Sequence, residues 1–149
     1  MATEREPEVN LSRIVQACIV VKDLDNAVDY LRSILGWGPF KVAEFVNEGT
    51  YRGKLNSGRT RIALAQVGPI AIEVVEAVEG ESPTVEFLRK NGEGLQHLGI
   101  RVDDIDAAVA QLHKGGVETV FRRQTKQGTS VAFVKTQIGE HMIELIQYK

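Results

Sequence analysis

Residues 16–28, QACIVVKDLDNAV, and residues 97–109, HLGIRVDDIDAAV, are two copies of one pattern set 81 residues apart. In register, Asp23 lies over Asp104, Leu24 over Ile105 and Asp25 over Asp106. Each copy opens on a short β-branched run, turns through an acidic stretch and continues at helical spacing, as a strand feeding a helix does. A repeat of about half the chain makes the fold two copies of one supersecondary unit.

Outward from these copies the two halves stay parallel. Asp25 and Asp106 are expected as helix N-caps. The first helix turns Ala27, Val28, Leu31 and Leu35 inward and ends near Gly36; the second turns Ala107, Ala108, Val109 and Leu112 inward and ends at Gly115–Gly116. Glycines at those ends suit left-handed C-caps. Three strands are expected after each helix, roughly 41–47, 61–67 and 70–75, then 117–122, 130–135 and 141–147. VGP at 67–69 and IGE at 138–140 mark tight turns before the last strand of each set. A polar turn at 79–83 and a short helix at 83–90 link the halves. The expected fold is therefore α+β, two tandem β-α-β-β-β modules at about 13–78 and 94–148, forming one curved mixed sheet. All of 1–149 falls in one domain, with 1–10 as a loose tail.

Composition agrees with one such domain. A chain of 149 residues buries roughly two-thirds of its unfolded surface without disulfides. Apolar residues make up 43%, charged residues 26%, and the formal net charge is -2. No basic surplus points to nucleic acid. Cys18 has no second cysteine to pair with and sits among apolar neighbours, so it reads as a small buried residue in a reducing, cytoplasmic setting. The leader MATEREPEVN lacks the apolar stretch of a secretory signal, and no apolar run is long enough to span a membrane.

Strand alternation then sorts the polar residues within the apolar runs. Gln16 shares a face with Cys18 and Val20, Glu73 with Val75, His97 with Gly99 and Arg101, and Glu144 with Ile146. Taken singly, either glutamate reads as an outward edge position and His97 as an ordinary buried or surface histidine. Together they place a ligand-type group on the first and last strand of each half. Packed about a pseudo-twofold axis, Gln16, Glu73, His97 and Glu144 converge on one cleft. One imidazole, two carboxylates and an amide oxygen suit a borderline divalent ion with water completing the shell, unlike the thiolate-rich shell of a structural zinc site. His113 faces solvent by its spacing, and His141 falls on the face opposite Glu144.

The stretches VVKDLDNAVDYLRSILGWGPF, GEGLQHLGIRVDDIDAAVAQLHKGGV and MIELIQY resemble the vicinal oxygen chelate superfamily of glyoxalases, methylmalonyl-CoA epimerases, extradiol dioxygenases and resistance proteins. The likeness covers residues 13–148, and the middle and last stretches look most like the epimerases and nearby glyoxalase-like proteins. The resemblance implies metal ligation by Gln16, Glu73, His97 and Glu144, with zinc, cobalt, nickel or manganese as the ion. It also implies an isomerase or epimerase that moves a proton α to a carbonyl through a metal-stabilised enediolate. A carboxylate can leave a weak metal bond to take the proton, so Glu144 is the preferred base with Glu73 on the opposite face, or the two with roles reversed.

Three positions depart from the relatives. The epimerases carry histidine where Gln16 stands and glutamine where Glu73 stands, so the ligand set looks more like that of eukaryotic-type glyoxalase I. Val20 and Ala77 replace the arginine and asparagine that hold glutathione there. The strand at 61–67 lacks the second catalytic acid of the epimerases. Alternatives are a glyoxalase-type lyase acting on a thiol adduct and a non-catalytic protein that binds a small molecule. The expected partner is a small carbonyl or thioester substrate; Trp37, Gly38, Pro39, Phe40 and Tyr51 are candidates for a pocket wall, and Arg52, Lys54, Arg59 or Arg61 for contact with an anionic group. Unpaired edges of an open sheet suggest a homodimer.

Overall fold

The structure, a computed structural model, describes residues 9–149. Module one comprises β1 (Ile14–Val20), α1 (Leu24–Leu35), β2 (Lys41–Tyr51), β3 (Lys54–Val67) and β4 (Ile70–Glu79). A linking helix, α2 (Pro83–Asn91), leads to β5 (Gly94–Arg101), α3 (Ile105–Lys114), β6 (Glu118–Gln124), β7 (Ser130–Lys135) and β8 (Met142–Gln147). Within each module the first strand runs parallel to the last, and the others pair antiparallel. The modules meet at β1–β5 and at β2–β6, which closes the sheet into a barrel ordered β1-β4-β3-β2-β6-β7-β8-β5. The second closure is short, joining only Thr50 to Arg122 and Tyr51 to Phe121. The curved sheet closes there, while β2 residues 41–49 pair only with β3.

Each helix lies on the outside of its own half of the barrel. Ala17, Val21, Leu24, Ala63, Ile72 and Val74 form one core under α1; Ile100, Val102, Ile105, Ala108, Ala132, Val134 and Leu145 form the other under α3. Because successive strand residues face opposite ways, sending Ala17, Ile72, Leu98 and Leu145 outward to the helices turns Gln16, Glu73, His97 and Glu144 toward the interior. Val9 and Leu11 pack on the second core, and the Val9 amide donates to Gln111 Oε1 at 3.0 Å. The remainder of the expected loose tail, residues 1–8, lies outside the described residues. Among the described residues no helix is long and apolar enough to cross a membrane.

Local chemistry corrects three expectations. The N-caps are Asp23 and Asp104, two residues earlier than expected, with their side chains accepting from the amides of Asn26 and Ala107, both at 3.0 Å. Leu24 and Ile105 are buried core residues, so each helix must begin there to point them inward. Asp25 and Asp106 instead face out in the first turn and pair with Arg61 and Arg122, both at 3.0 Å. Leu35 is 50% exposed: the chain turns back at Gly36, which is left-handed at φ 68, and Trp37 and Phe40 take the core position that Leu35 would have filled. The β2–β3 hairpin runs unbroken from Lys41–Leu64 to Tyr51–Lys54 and turns only at Arg52–Gly53, where both φ values are positive. Gly49 and Gly58 lie inside its strands because neighbouring backbone crowds them: a Cβ would sit 2.3 Å from the Arg122 carbonyl oxygen at Gly49 and 2.7 Å from that of Glu79 at Gly58.

Candidate active site

The four singled-out residues come together. Strand pairing sets Gln16 opposite Gly99, Gly99 opposite Glu144, and Cys18 opposite both His97 and Glu73, so all four occupy one patch of the barrel interior. Gly99 is what lets Gln16 lie there, since a Cβ at that position would come within 2.5 Å of Gln16 Cγ. His97 Nε2 lies 2.7 Å from Glu144 Oε2 and 3.9 Å from Glu73 Oε1, and Gln16 Nε2 lies 3.4 Å from Glu144 Oε2.

The imidazole is held at its other nitrogen. His97 Nδ1 lies 3.0 Å from Gln96 Oε1. An amide oxygen only accepts, so a neutral ring carries its proton on Nδ1 and presents a lone pair at Nε2. Phe133 packs edge-on against the ring at 4.9 Å between centroids. The His97 side chain is only 2% exposed, and its Nε2 lone pair has no hydrogen-bond partner, since the groups beside it, Glu144 and Glu73, are carboxylate acceptors. A buried nitrogen lacking a partner costs free energy unless something else meets it. A divalent ion fits that need, and the surrounding oxygen donors suit one.

Electrostatics tell the same story. Burial, reinforced by the negative charge of Glu144, raises the Glu73 pKa from 4.5 to about 7, with His97 opposing the rise. Burial alone would lower the pKa of His97, but the Glu144 and Glu73 carboxylates outweigh it and raise the value. Burial drives the Glu73 rise and Glu144 adds to it, with His97 and Arg123 opposing, while the two carboxylates drive the His97 rise against burial. Cys18 is fully buried beside them, and burial together with the two glutamates raises its thiol pKa.

The patch floors a cavity of about 670 Å³, counting its part open to solvent. Ile62, Val75, Phe121 and Phe133 form its apolar walls, and Arg59 and Arg123 bring positive charge to it. The wall expected from Trp37 and Phe40 is absent from this lining, since both pack against the core under α1. Tyr51 hydrogen-bonds to Glu86, and Arg52 holds the same carboxylate at 2.7 Å, outside this cavity. Arg61 is taken by Asp25 on the outer face, with Glu76 at 3.5 Å, and Lys54 lies exposed. Of the four cationic candidates only Arg59 lines the cavity. Sequence reasoning missed Arg123 and Gln96. Arg123 is two residues along β6 from the wall residue Phe121, and Gln96 is the polar neighbour of His97 in the otherwise apolar run LQHLGI; those were the available signals.

A family model described as the glyoxalase/bleomycin resistance protein/dioxygenase superfamily matches residues 15–147. Mitochondrial methylmalonyl-CoA epimerase from Mus musculus is 29% identical over 118 residues, 78% of this chain and 61% of the relative. The Homo sapiens protein of the same name is 30% identical over 112 residues, 74% of this chain and 58% of the relative, so the chain spans about three-fifths of these relatives' length. A solved structure of a variant Streptomyces coelicolor methylmalonyl-CoA epimerase, in complex with 2-nitronate-propionyl-CoA, is similar at a TM-score of 0.71 and 25% identity, covering 93% of this chain and 99% of that one. The paired modules, the interior patch they build and the match over nearly the whole chain place this protein in the glyoxalase/bleomycin resistance protein/dioxygenase superfamily.

Proposed function

We propose that the chain is a divalent-metal-dependent epimerase that removes and returns a proton at the carbon α to a carbonyl, with an acyl thioester of the methylmalonyl-CoA type as substrate. The observation that carries this reading is the placement of Glu73 and Glu144 beside the partnerless His97 Nε2, at 3.9 and 2.7 Å, on the floor of a cavity. Gln16, Glu73, His97 and Glu144 are the ligand candidates. A bound ion would supply Lewis acidity to the substrate carbonyl, making the neighbouring C–H more acidic.

The chain's own groups do the proton work. Glu144 is the base: its carboxylate takes the α-proton from one face of the carbon. Glu73 relays a proton to the other face, which inverts the centre. Phe121, Phe133, Ile62 and Val75 exclude water while the carbanion exists, and Arg123 brings a cation toward an anionic substituent. The ligand of the S. coelicolor relative is a nitronate, a planar delocalised anion with the shape of an enolate, which supports enolate chemistry on this scaffold.

Glu144→Gln tests the assignment. The amide keeps side-chain length and an oxygen donor but accepts no proton near neutral pH. Metal content should hold, and exchange of the substrate α-proton with solvent should slow by at least about a hundredfold. Glu73→Gln added to it should remove what remains. Exchange at the wild-type rate in both variants would overturn carboxylate-driven enolisation, and a wild type that binds the thioester without exchanging any proton would make this a binding protein.

A further inference from the structure

Cys18 reads from sequence as a small buried residue, yet its position gives it chemistry. It sits on β1 two residues after Gln16, on the same interior face, and its register partners are His97 on β5 and Glu73 on β4. Its sulfur, a Glu73 carboxylate oxygen and a His97 ring nitrogen all lie within 4.8 Å of one another. That is close to the span of one coordination shell, since donor bonds of about 2.0–2.3 Å keep any two donors within about 4.6 Å. The thiol is fully buried beside the Glu73 carboxylate. A separate feature points to a ligand at the same spot: His97 Nε2, on a side chain only 2% exposed, has no hydrogen-bond partner.

We propose that Cys18 is a sulfur donor to the metal ion, so that this site takes zinc or cobalt in preference to manganese. This rests on the metal reading above and extends it. A thiolate among imidazole and carboxylate donors shifts a site toward softer ions. Coordination forms one metal–sulfur bond and breaks the S–H bond, the proton passing by way of the adjacent carboxylates to solvent. Sulfur, Glu73 and His97 together form a three-donor shell from which Glu144 can withdraw to act as base, so the same carboxylate need not hold the ion and take the proton at once.

Cobalt is a direct probe. The full chain loaded with Co²⁺ should show a near-ultraviolet thiolate-to-cobalt charge-transfer band. Cys18→Ser and Cys18→Ala should abolish the band while still binding cobalt through the remaining donors. In competition titrations both variants should lose at least about tenfold in zinc affinity, the scale on which even outer partners of a metal site act, with manganese affinity little changed. A cobalt-loaded wild type without the band, or equal zinc-over-manganese preference in wild type and variants, would overturn the sulfur donor and leave the metal reading standing. A wild type that binds no cobalt, zinc or manganese would overturn both. The wild-type spectrum decides the matter even if a variant fails to fold.

Discussion

His97 is the residue on which the site turns, because it alone brings a nitrogen donor to the set of Gln16, Glu73, His97 and Glu144, and because Gln96 fixes its ring. His97→Ala should remove most of the divalent ion from purified protein, as read by elemental analysis, while leaving a folded barrel; unchanged metal content would sink the assignment. The crowded carboxylates also make the metal-free protein sensitive to pH. Between pH 4.5 and about 7 the folded state holds a proton on Glu73 that the unfolded chain has released. Stability therefore falls as pH rises through that window. The raised pKa of His97 acts in the same direction, its favourable proton being lost as pH climbs past the folded value. Melting temperatures of metal-free protein should drop as pH rises from 4.5 to about 7, and saturating zinc should restore stability most at the higher pH, where it no longer competes with protons. Gln16, Glu73, His97 and Glu144 were legible in the sequence because strand alternation and the repeat put each on an equivalent face. Gln96, Arg123 and the role of Cys18 were not, since their importance depends on which side chains the barrel brings across from other strands.

At the level of elements, duplication extends to the anchoring of each helix. Asp23 and Asp104 cap α1 and α3, and the first amide of each helix, Leu24 or Ile105, donates to a side chain on the last strand of its module, Glu76 at 2.9 Å or Gln147 at 2.8 Å. Arg61 and Arg122 then clamp Asp25 and Asp106 of the first turns. The helix starts are therefore tied directly to the strands that carry Glu73 and Glu144. Asp104→Ala should cost about 1 kcal/mol, typical for loss of an N-cap, in urea unfolding, with Asp106→Ala costing less because its partner is an exposed ion pair. A loss for Asp106→Ala as large as that for Asp104→Ala would contradict the cap's being the stronger tie. The elements themselves and their order were readable from periodicity and turn glycines. Cap register was not, because two aspartates flank Leu24 and only burial of that leucine says which one lies outside the helix. The length of the β2–β3 hairpin was hidden as well: Gly49 and Gly58 look like breaks, and only the approach of Arg122 and Glu79 explains them as strand residues.

Across the whole molecule, two modules close on each other so that one interior patch draws a residue from each of β1, β4, β5 and β8. Neither half is sufficient: Gln16 and Glu73 come from one module, His97 and Glu144 from the other. Barrel closure through β2 and β6 was not legible, since only Thr50–Arg122 and Tyr51–Phe121 pair there and no sequence period marks so short a contact. Closure also sets the walls, bringing Phe121, Phe133 and Arg123 of the second module over Glu73 of the first. On the proposed reading this assembled site uses a divalent ion and its own carboxylates to move an α-proton. The most direct test of that reading is proton NMR of methylmalonyl-CoA in D₂O with the metal-loaded wild type, before and after a chelator and again after the ion is restored. Loss of the α-proton signal should be rapid with the ion, halt with the chelator and resume on its return. An α-proton that persists in the presence of metal-loaded protein, or exchanges equally fast with the chelator present, would contradict it.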